Sequence, residues 1–210
     1  MSETSSKKRK LSLPLVLAGS VSSLVLALGM SPTFSAFTAS ITNSLNTAGT
    51  GTLIMQETSG NIPACLSTDG GNLSSNTATC ASINKYGGTG TFLTPGGAAN
   101  ITTVTIKNVG TVAATSFSLT PGDCEQSTLG ASNGTAKDLC KKLHIKITTD
   151  GSPVYDGSAY DFKTAEPLTP LAAGASAVYT FAVSLDSIAT NANTYQGLQA
   201  SQPLTWTFQS

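Results

Sequence analysis

Short segments in which apolar and polar residues alternate limit the fold of this chain more than any other feature. Residues 101–108 are β-branched almost throughout, and residues 177–185 repeat the alternation. Successive side chains of a strand point to opposite faces, so a period of two predicts strands with one buried face. The turn signals Asn108-Val-Gly110 and Asp150-Gly151 follow or separate such segments. We therefore expect an all-β protein.

Other segments predict a two-sheet β-sandwich with one short helix. Short strands joined by Gly and Pro turns are typical of this architecture. The helix is expected at residues 135–143, where apolar residues recur at spacings of three and four. Leu204, Trp206 and Phe208 share one face of the last strand and are expected in the core. Further strands are predicted at residues 52–58, 116–119, 145–147, 153–155 and 204–208.

Residues 1–35 have the organisation of an export signal, expected to be helical. Four basic residues at positions 7–10 precede an apolar run at 11–30. Cleavage between Ser35 and Ala36 places small residues at positions −1 and −3, the latter being Thr33. A run of about 20 apolar residues can also span a bilayer, so an uncleaved anchor is the alternative. Membrane contact is expected only through this segment, and a secreted, cell-surface location is predicted.

Residues 36–210 are predicted to form a single domain with few charges. After cleavage the chain keeps seven Lys, no Arg and ten acidic residues, which gives a formal charge of −3. Nucleic-acid binding depends on clustered Lys and Arg, so this balance argues against it. Charged residues make up 10% of the chain, against about 25% in typical domains. Such a surface suits a wall-facing or matrix protein better than an electrostatically steered enzyme.

The four cysteines all lie in this domain and fit an oxidising compartment. Four cysteines allow three pairings. We favour Cys65–Cys80 and Cys124–Cys140, because each pair closes a short local loop. A loop of this size is worth about 3 kcal/mol in the chain-entropy model. The spacings lack the C-x-x-C pattern of zinc sites.

The segment that follows the predicted cleavage site is also predicted to form a strand. Within residues 36–45, the side chains of Phe37, Ala39, Ile41 and Leu45 fall on one face. The strand can pair within its own subunit, which the residues by themselves favour. It can also be donated to a neighbour, because an unpaired sheet edge accepts an extended segment from another chain.

Catalytic motifs are absent from the sequence. The only histidine is His144, expected to face solvent, and there is no H-E-x-x-H pair or G-x-S-x-G turn. Asp150, Asp156 and Asp161 are expected in loops, without the spacing of a calcium-binding EF-hand. We therefore predict no catalytic residues, no metal site, no cofactor and no enzyme activity.

Four motifs, in order along the chain, resemble the TasA/camelysin family of exported bacterial surface proteins. The first ends the export signal, the second precedes an early strand, the third precedes the strand at 101–110, and the fourth leads into the last strand. They are Thr33-Phe-Ser-Ala-Phe-Thr38, Ala48-Gly-Thr-Gly-Thr-Leu53, Leu93-Thr-Pro-Gly-Gly97 and Asn193-Thr-Tyr-Gln-Gly197. Together they span almost the whole chain.

The resemblance implies a jelly-roll-like sandwich, export through a dedicated signal peptidase, and assembly into extracellular filaments of a biofilm matrix. In the family, the N-terminal segment of one subunit completes the sheet of the next, a role that falls here on residues 36–45. Two alternatives stay open. The chain could be a monomeric surface binding module or adhesin whose loops at 59–80 and 87–100 contact glycan or a host protein, or a camelysin-like metallopeptidase.

Overall fold

The computed structural model describes residues 39–71, 74–130 and 133–210. The chain divides into two units, residues 1–48 and residues 49–210. The predicted signal segment, the cleavage position at Ser35 and Ala36, and Phe37 lie outside the described residues.

Within its described residues, the second unit contains the strands and one short α-helix, α1 (Leu139–Lys142). A 3-10 turn at Ala192–Tyr195 precedes the last two strands. In chain order the strands are β1 (Met55–Ser59), β2 (Ile62–Leu66), β3 (Asn100–Asn108), β4 (Ser116–Pro121), β5 (Glu125–Thr128), β6 (Leu143–Thr149), β7 (Ser152–Ser158), β8 (Glu166–Leu168), β9 (Ser176–Leu185), β10 (Leu198–Ser201) and β11 (Leu204–Gln209).

One layer of the sandwich is a six-stranded antiparallel sheet in the order β2-β1-β3-β9-β6-β7. Its centre is the pairing of β3 with β9, where Asn100 lies opposite Val183 and Lys107 opposite Ser176. The turn between β6 and β7 uses Asp150 and Gly151, both at positive φ, as the sequence predicts for a tight hairpin.

The other layer consists of a three-stranded sheet, β11-β4-β8, and a two-stranded sheet, β10-β5. The two sheets are built from the same two stretches of chain, since β5 follows β4 and β11 follows β10. Leu204 pairs with Pro121, and Ser201 pairs with Glu125. Three residues therefore lie opposite two between the two sheets. Pro203 has no N–H to donate, so the ladder breaks there.

The core lies between the layers and is built from the inward-facing positions of the alternating segments. Val104 and Ile106 of β3 are fully buried, as are Ile145 and Ile147 of β6. Phe117 of β4 packs edge-on against Tyr179 of β9, with ring centroids 6.0 Å apart. Each fully buried side chain of this kind stabilises the fold by about 1.5–3 kcal/mol. The all-β sandwich predicted from the sequence is confirmed.

The helix is shorter than predicted. It covers Leu139–Lys142 rather than residues 135–143, and β6 begins directly after it. The stretch before the helix follows another path, because the Ala136 amide donates to the Thr194 carbonyl. Asp138 at the N-terminus of the helix makes no side-chain capping bond. The helical spacing at 135–143 therefore reflects packing against β5 and β10 more than a continuous helix.

The predicted N-terminal strand is not formed within this chain over the residues that are described. Residues 39–48 contain no strand, and Ser44 and Leu45 lie in a turn. The side chains of Ile41 and Leu45 are 94% and 87% exposed. Pairing of this segment within its own subunit, which the residues by themselves favoured, is therefore not seen for residues 39–45.

Candidate functional site: the groove beside the last strand

The outer strands of the two larger sheets differ in how they are protected against pairing with another chain. Three of them carry proline or charge, which discourage the addition of a further strand. Strand β2 contains Pro63, β7 contains Pro153 and Asp156, and β8 contains Glu166 and Pro167. Strand β11 has the sequence Leu-Thr-Trp-Thr-Phe-Gln, with neither. It is the unprotected outer strand of these two sheets.

An open groove runs beside β11 between the two layers. Its volume is about 620 Å³. One side is β11 with Pro203, and the other is formed by β1, β2 and residues 75–80. The apolar side chains that line it are Leu53, Met55, Leu66, Leu204, Trp206 and Phe208. An exposed sheet edge beside an apolar groove is the arrangement that accepts an extended peptide.

Aromatic packing fixes the position of β11. Trp206 lies 4.9 Å from Tyr179 and Phe208 lies 4.7 Å from Phe117, measured between ring centroids. Aromatic pairs at such distances contribute about 0.5–1.5 kcal/mol beyond the area that they bury. Leu204, Trp206 and Phe208 are predicted in the core. One side of each residue packs against the buried core residues, so the prediction is confirmed for that side. Their remaining surface lines the groove.

The groove also contains a buried ion pair. The Nζ atom of Lys85 lies 2.7 Å from Oε1 of Glu57, and the two side chains are only 10% and 8% exposed. The Trp206 indole N–H donates to the same Glu57 oxygen at 3.2 Å. Removing two charges from water is costly, so such a pair persists only when its geometry and additional hydrogen bonds compensate. The sequence gives no sign of this pair, because Glu57 and Lys85 are far apart along the chain.

The wall opposite β11 is made by the loop that the first disulfide closes. Cys65 of β2 is bonded to Cys80, with Cα atoms 6.0 Å apart, and both residues line the groove. At the start of the wall, Asn76 accepts a hydrogen bond from the Ser67 hydroxyl at 2.7 Å and donates to the Leu53 carbonyl. Gly70 lets this loop fold closely on itself, because a Cβ atom there would meet the Thr77 carbonyl.

A second cavity, of about 570 Å³, adjoins the groove and shares Cys80, Lys85, Pro203 and Leu204 with it. Gln202 lies at its inner end and fills the break between β10 and β11. Its amide nitrogen donates to the carbonyls of Gly122, Ala159 and Phe162 at 2.8–3.1 Å. Its carbonyl oxygen accepts from the Tyr86 hydroxyl at 2.8 Å. Burial raises the pKa of Tyr86, so this hydroxyl stays protonated as a donor.

The second disulfide joins Cys124 to Cys140, also with Cα atoms 6.0 Å apart. Both cysteine pairs are therefore those that the spacing favoured. Two disulfides are typical of proteins from oxidising compartments. In the parts of the chain that are described, no helix has the length and apolarity to cross a membrane.

The predicted assembly residues Ala39, Ile41 and Leu45 lie in the first unit, exposed and outside any strand. Ala36 and Phe37 fall outside the described residues. The donor role needs a second copy of the chain, so it stays a prediction.

The one histidine belongs to an exposed charge cluster. Its Nε2 atom lies 2.7 Å from Oδ1 of Asp156, and Nζ of Lys146 lies 2.8 Å from Oδ2 of the same carboxylate. These two hydrogen bonds hold the pKa of Asp156 below its usual range. Asp156 lies in β7, so the prediction that it lies in a loop is wrong. Within residues 39–71, 74–130 and 133–210, no three His, Cys, Asp or Glu side chains are grouped as metal ligands would be.

Comparisons with protein-family models and with curated protein sequences show no relationship. No protein-family model matches the chain, and no curated protein sequence matches it. The resemblance to the TasA/camelysin family therefore depends on the sequence motifs alone.

Proposed function

We propose that this chain is an exported structural subunit that self-associates into filaments, in which residues 36–45 of one copy pair with β11 of the next. The observation that carries the proposal is the unprotected β11 edge beside an apolar groove. An edge of this kind presents unpaired N–H and C=O groups to an incoming strand.

The exposed N-terminal segment supplies the complementary part. Ile41 and Leu45 are almost wholly exposed, although burial of each would contribute about 1.5–3 kcal/mol. Ordering the segment costs about 1–2 kcal/mol per residue, so ladder hydrogen bonds must form together with apolar contacts. Donation from one copy to the next is a head-to-tail contact, and such contacts give open filaments unless the rotation closes a ring.

The test places charges on the apolar face of the segment. In the exported protein, I41D/L45D should abolish filaments in electron micrographs, because two carboxylates would enter an apolar groove. The matched control T42D/S44D adds the same charge to the other face. This control should still form filaments, at the wild-type yield or at a lower yield. All four positions are exposed, so neither variant should change the unfolding midpoint. Normal filaments from I41D/L45D would contradict the proposal.

The alternative function is a monomeric surface binding module. The observation that favours it is the second cavity, whose rim includes Thr89, Thr91 and Phe92 from the predicted contact loop at 87–100. Phe92 is 74% exposed, as an aromatic contact residue would be. A protein that stays monomeric at high concentration and still binds glycan through Phe92 would support this function over filament formation.

The expectation that the chain is not an enzyme stays a prediction. A camelysin-like peptidase activity would appear as casein hydrolysis that a chelator abolishes and that is lost in His144→Ala.

A further inference from the structure

We propose that the Cys65–Cys80 disulfide is a redox gate for the groove beside β11: the groove accepts the N-terminal segment of a second copy only when this bond is formed. The inference rests on the proposed function, since it concerns control of the same edge.

The position of the disulfide is the first reason. Cys65 lies at the end of β2 that borders the groove, and Cys80 ends the stretch of chain that forms the opposite wall. The bond therefore joins the wall directly to the main sheet. The other disulfide contributes no residue to either cavity.

The part of the wall between Asn76 and Ile83 has few other attachments to the rest of the fold. Asn76 is held by Ser67 and Leu53 at one end, and Ile83 is buried in the core at the other. Between them, within the described chain, residues 77–81 make no backbone–backbone hydrogen bond. The disulfide is thus the main tie between the sheet and this part of the wall.

Reduction changes the cost of binding. A cross-link lowers the conformational freedom of the segment that it closes. Without the bond, residues 77–80 have to be ordered when a strand enters the groove, and that ordering opposes binding. We therefore expect reduced protein to keep its sandwich, which is held by the buried core, but to bind the incoming strand weakly.

The redox step is a thiol–disulfide exchange. The Cys65 and Cys80 thiols give two electrons and two protons to an external disulfide, from a small molecule or an exported oxidoreductase. That disulfide becomes two thiols as the Cys65–Cys80 bond forms. Reducing conditions in the cytoplasm keep thiols free. The gate would thus delay self-association until the chain has left the cell.

The second disulfide is a close control. The two bonds have the same Cα separation, 6.0 Å, and close loops with sequence separations of 15 and 16 residues. In the chain-entropy model they constrain the unfolded chain almost equally. Any difference between their removal therefore reports on the groove rather than on global stability.

The experiment measures binding of a fluorescent peptide with the sequence of residues 36–45 to the exported protein at a concentration where it is monomeric. C65S/C80S should weaken binding by about tenfold or more, and C124S/C140S should leave it within about twofold. Equal affinities in the two variants would overturn the gate. Circular dichroism and tryptophan fluorescence check that both variants are folded.

A reversible measurement covers the case in which C65S/C80S does not fold. In C124S/C140S only the Cys65–Cys80 bond remains, so dithiothreitol should weaken peptide binding and oxidised glutathione should restore it.

Unchanged binding on reduction would overturn the gate and leave the proposed function intact. Loss of the β-sheet spectrum on reduction would also overturn it, because the bond would then act on the whole fold. If the peptide binds neither form and the wild type makes no filaments, the gate and the proposed function both fail.

Discussion

At the residue scale, the side chains of Glu57 and Lys85 form one buried ion pair in the groove. Glu57 comes from β1 and Lys85 from the loop that precedes β3, and the Trp206 indole links the pair to β11. Both charges are almost completely shielded from water, so each depends on the other. An unpaired buried charge costs about 3–5 kcal/mol, whereas an apolar pair of similar volume is often neutral.

This dependence predicts strong coupling between the two positions. Lys85→Met should leave the Glu57 carboxylate unpaired and lower the free energy of unfolding by about 3 kcal/mol. The double variant E57L/K85M should recover most of that loss, because neither charge remains. Urea unfolding of the wild type, both single variants and the double variant measures the coupling. The exposed pair of Lys146 and Asp156 is the control, and K146M should leave the free energy of unfolding almost unchanged because solvent screens this pair. Additive losses in the Glu57–Lys85 cycle would contradict the interpretation.

At the level of elements, the outer strands show which edges the fold protects. Proline or charge interrupts β2, β7 and β8, while β11 alternates threonine with large apolar residues. A strand added to β11 would be held by main-chain hydrogen bonds. Successive N–H groups along a strand point in opposite directions. Only every second N–H of an incoming segment can therefore reach the β11 edge.

This alternation predicts a difference between two methylated peptides. In peptides of residues 36–45, N-methylation at Ile41 and N-methylation at Thr42 remove N–H groups that point in opposite directions. One of the two peptides should bind at least tenfold more weakly than the unmodified peptide, and the other should bind within about threefold. Fluorescence anisotropy against the protein measures both. Equal losses, or no loss in either peptide, would argue against pairing at a single edge.

At the scale of the whole molecule, two tyrosines that pack in or against the core link stability to pH. Burial, reinforced by the Asp150 charge, raises the pKa of Tyr179 from 10.0 to about 12. Burial also raises the pKa of Tyr86. Both shifts favour the neutral phenol in the folded state. Their stabilising effect is therefore complete below pH 10, the ordinary tyrosine value, and is lost as the pH rises through the folded-state pKa.

Stability should consequently fall between pH 10 and pH 12. The part due to Tyr179 is about 2–3 kcal/mol at most, since one pKa unit corresponds to about 1.4 kcal/mol. Urea unfolding midpoints at pH 9, 10, 11 and 12, with the disulfides checked by mass spectrometry, measure the loss. Tyr179→Phe should show a smaller decline over this range, because it has no phenol to ionise there. Parallel curves for the two proteins would exclude this cause.

Much of the fold could be predicted from local patterns. The strands with clear alternation, β3, β6, β9 and β11, lie where the sequence predicts them, and the hairpin at Asp150 and Gly151 forms as expected. The short strands β2, β5, β8 and β10 were missed, because their sequences show little alternation. Strands β5, β8 and β10 also form by pairing with partners far along the chain, whereas β2 forms a hairpin with β1. The helix was predicted too long for a related reason. The Ala136 amide, which precedes the helix, donates to the Thr194 carbonyl instead.

The alternation of side chains and the spacing of cysteines by themselves determined the all-β sandwich and the two local disulfides, because both depend on neighbours along the chain. The export signal at residues 1–35 lies outside the described residues and stays a prediction from the sequence. Only the tertiary structure decided which edge is unprotected, that a groove lies beside it, and that Cys65, Cys80, Glu57 and Lys85 border that groove. These features depend on contacts between residues far apart in the chain, and strand order across two sheets sets such contacts.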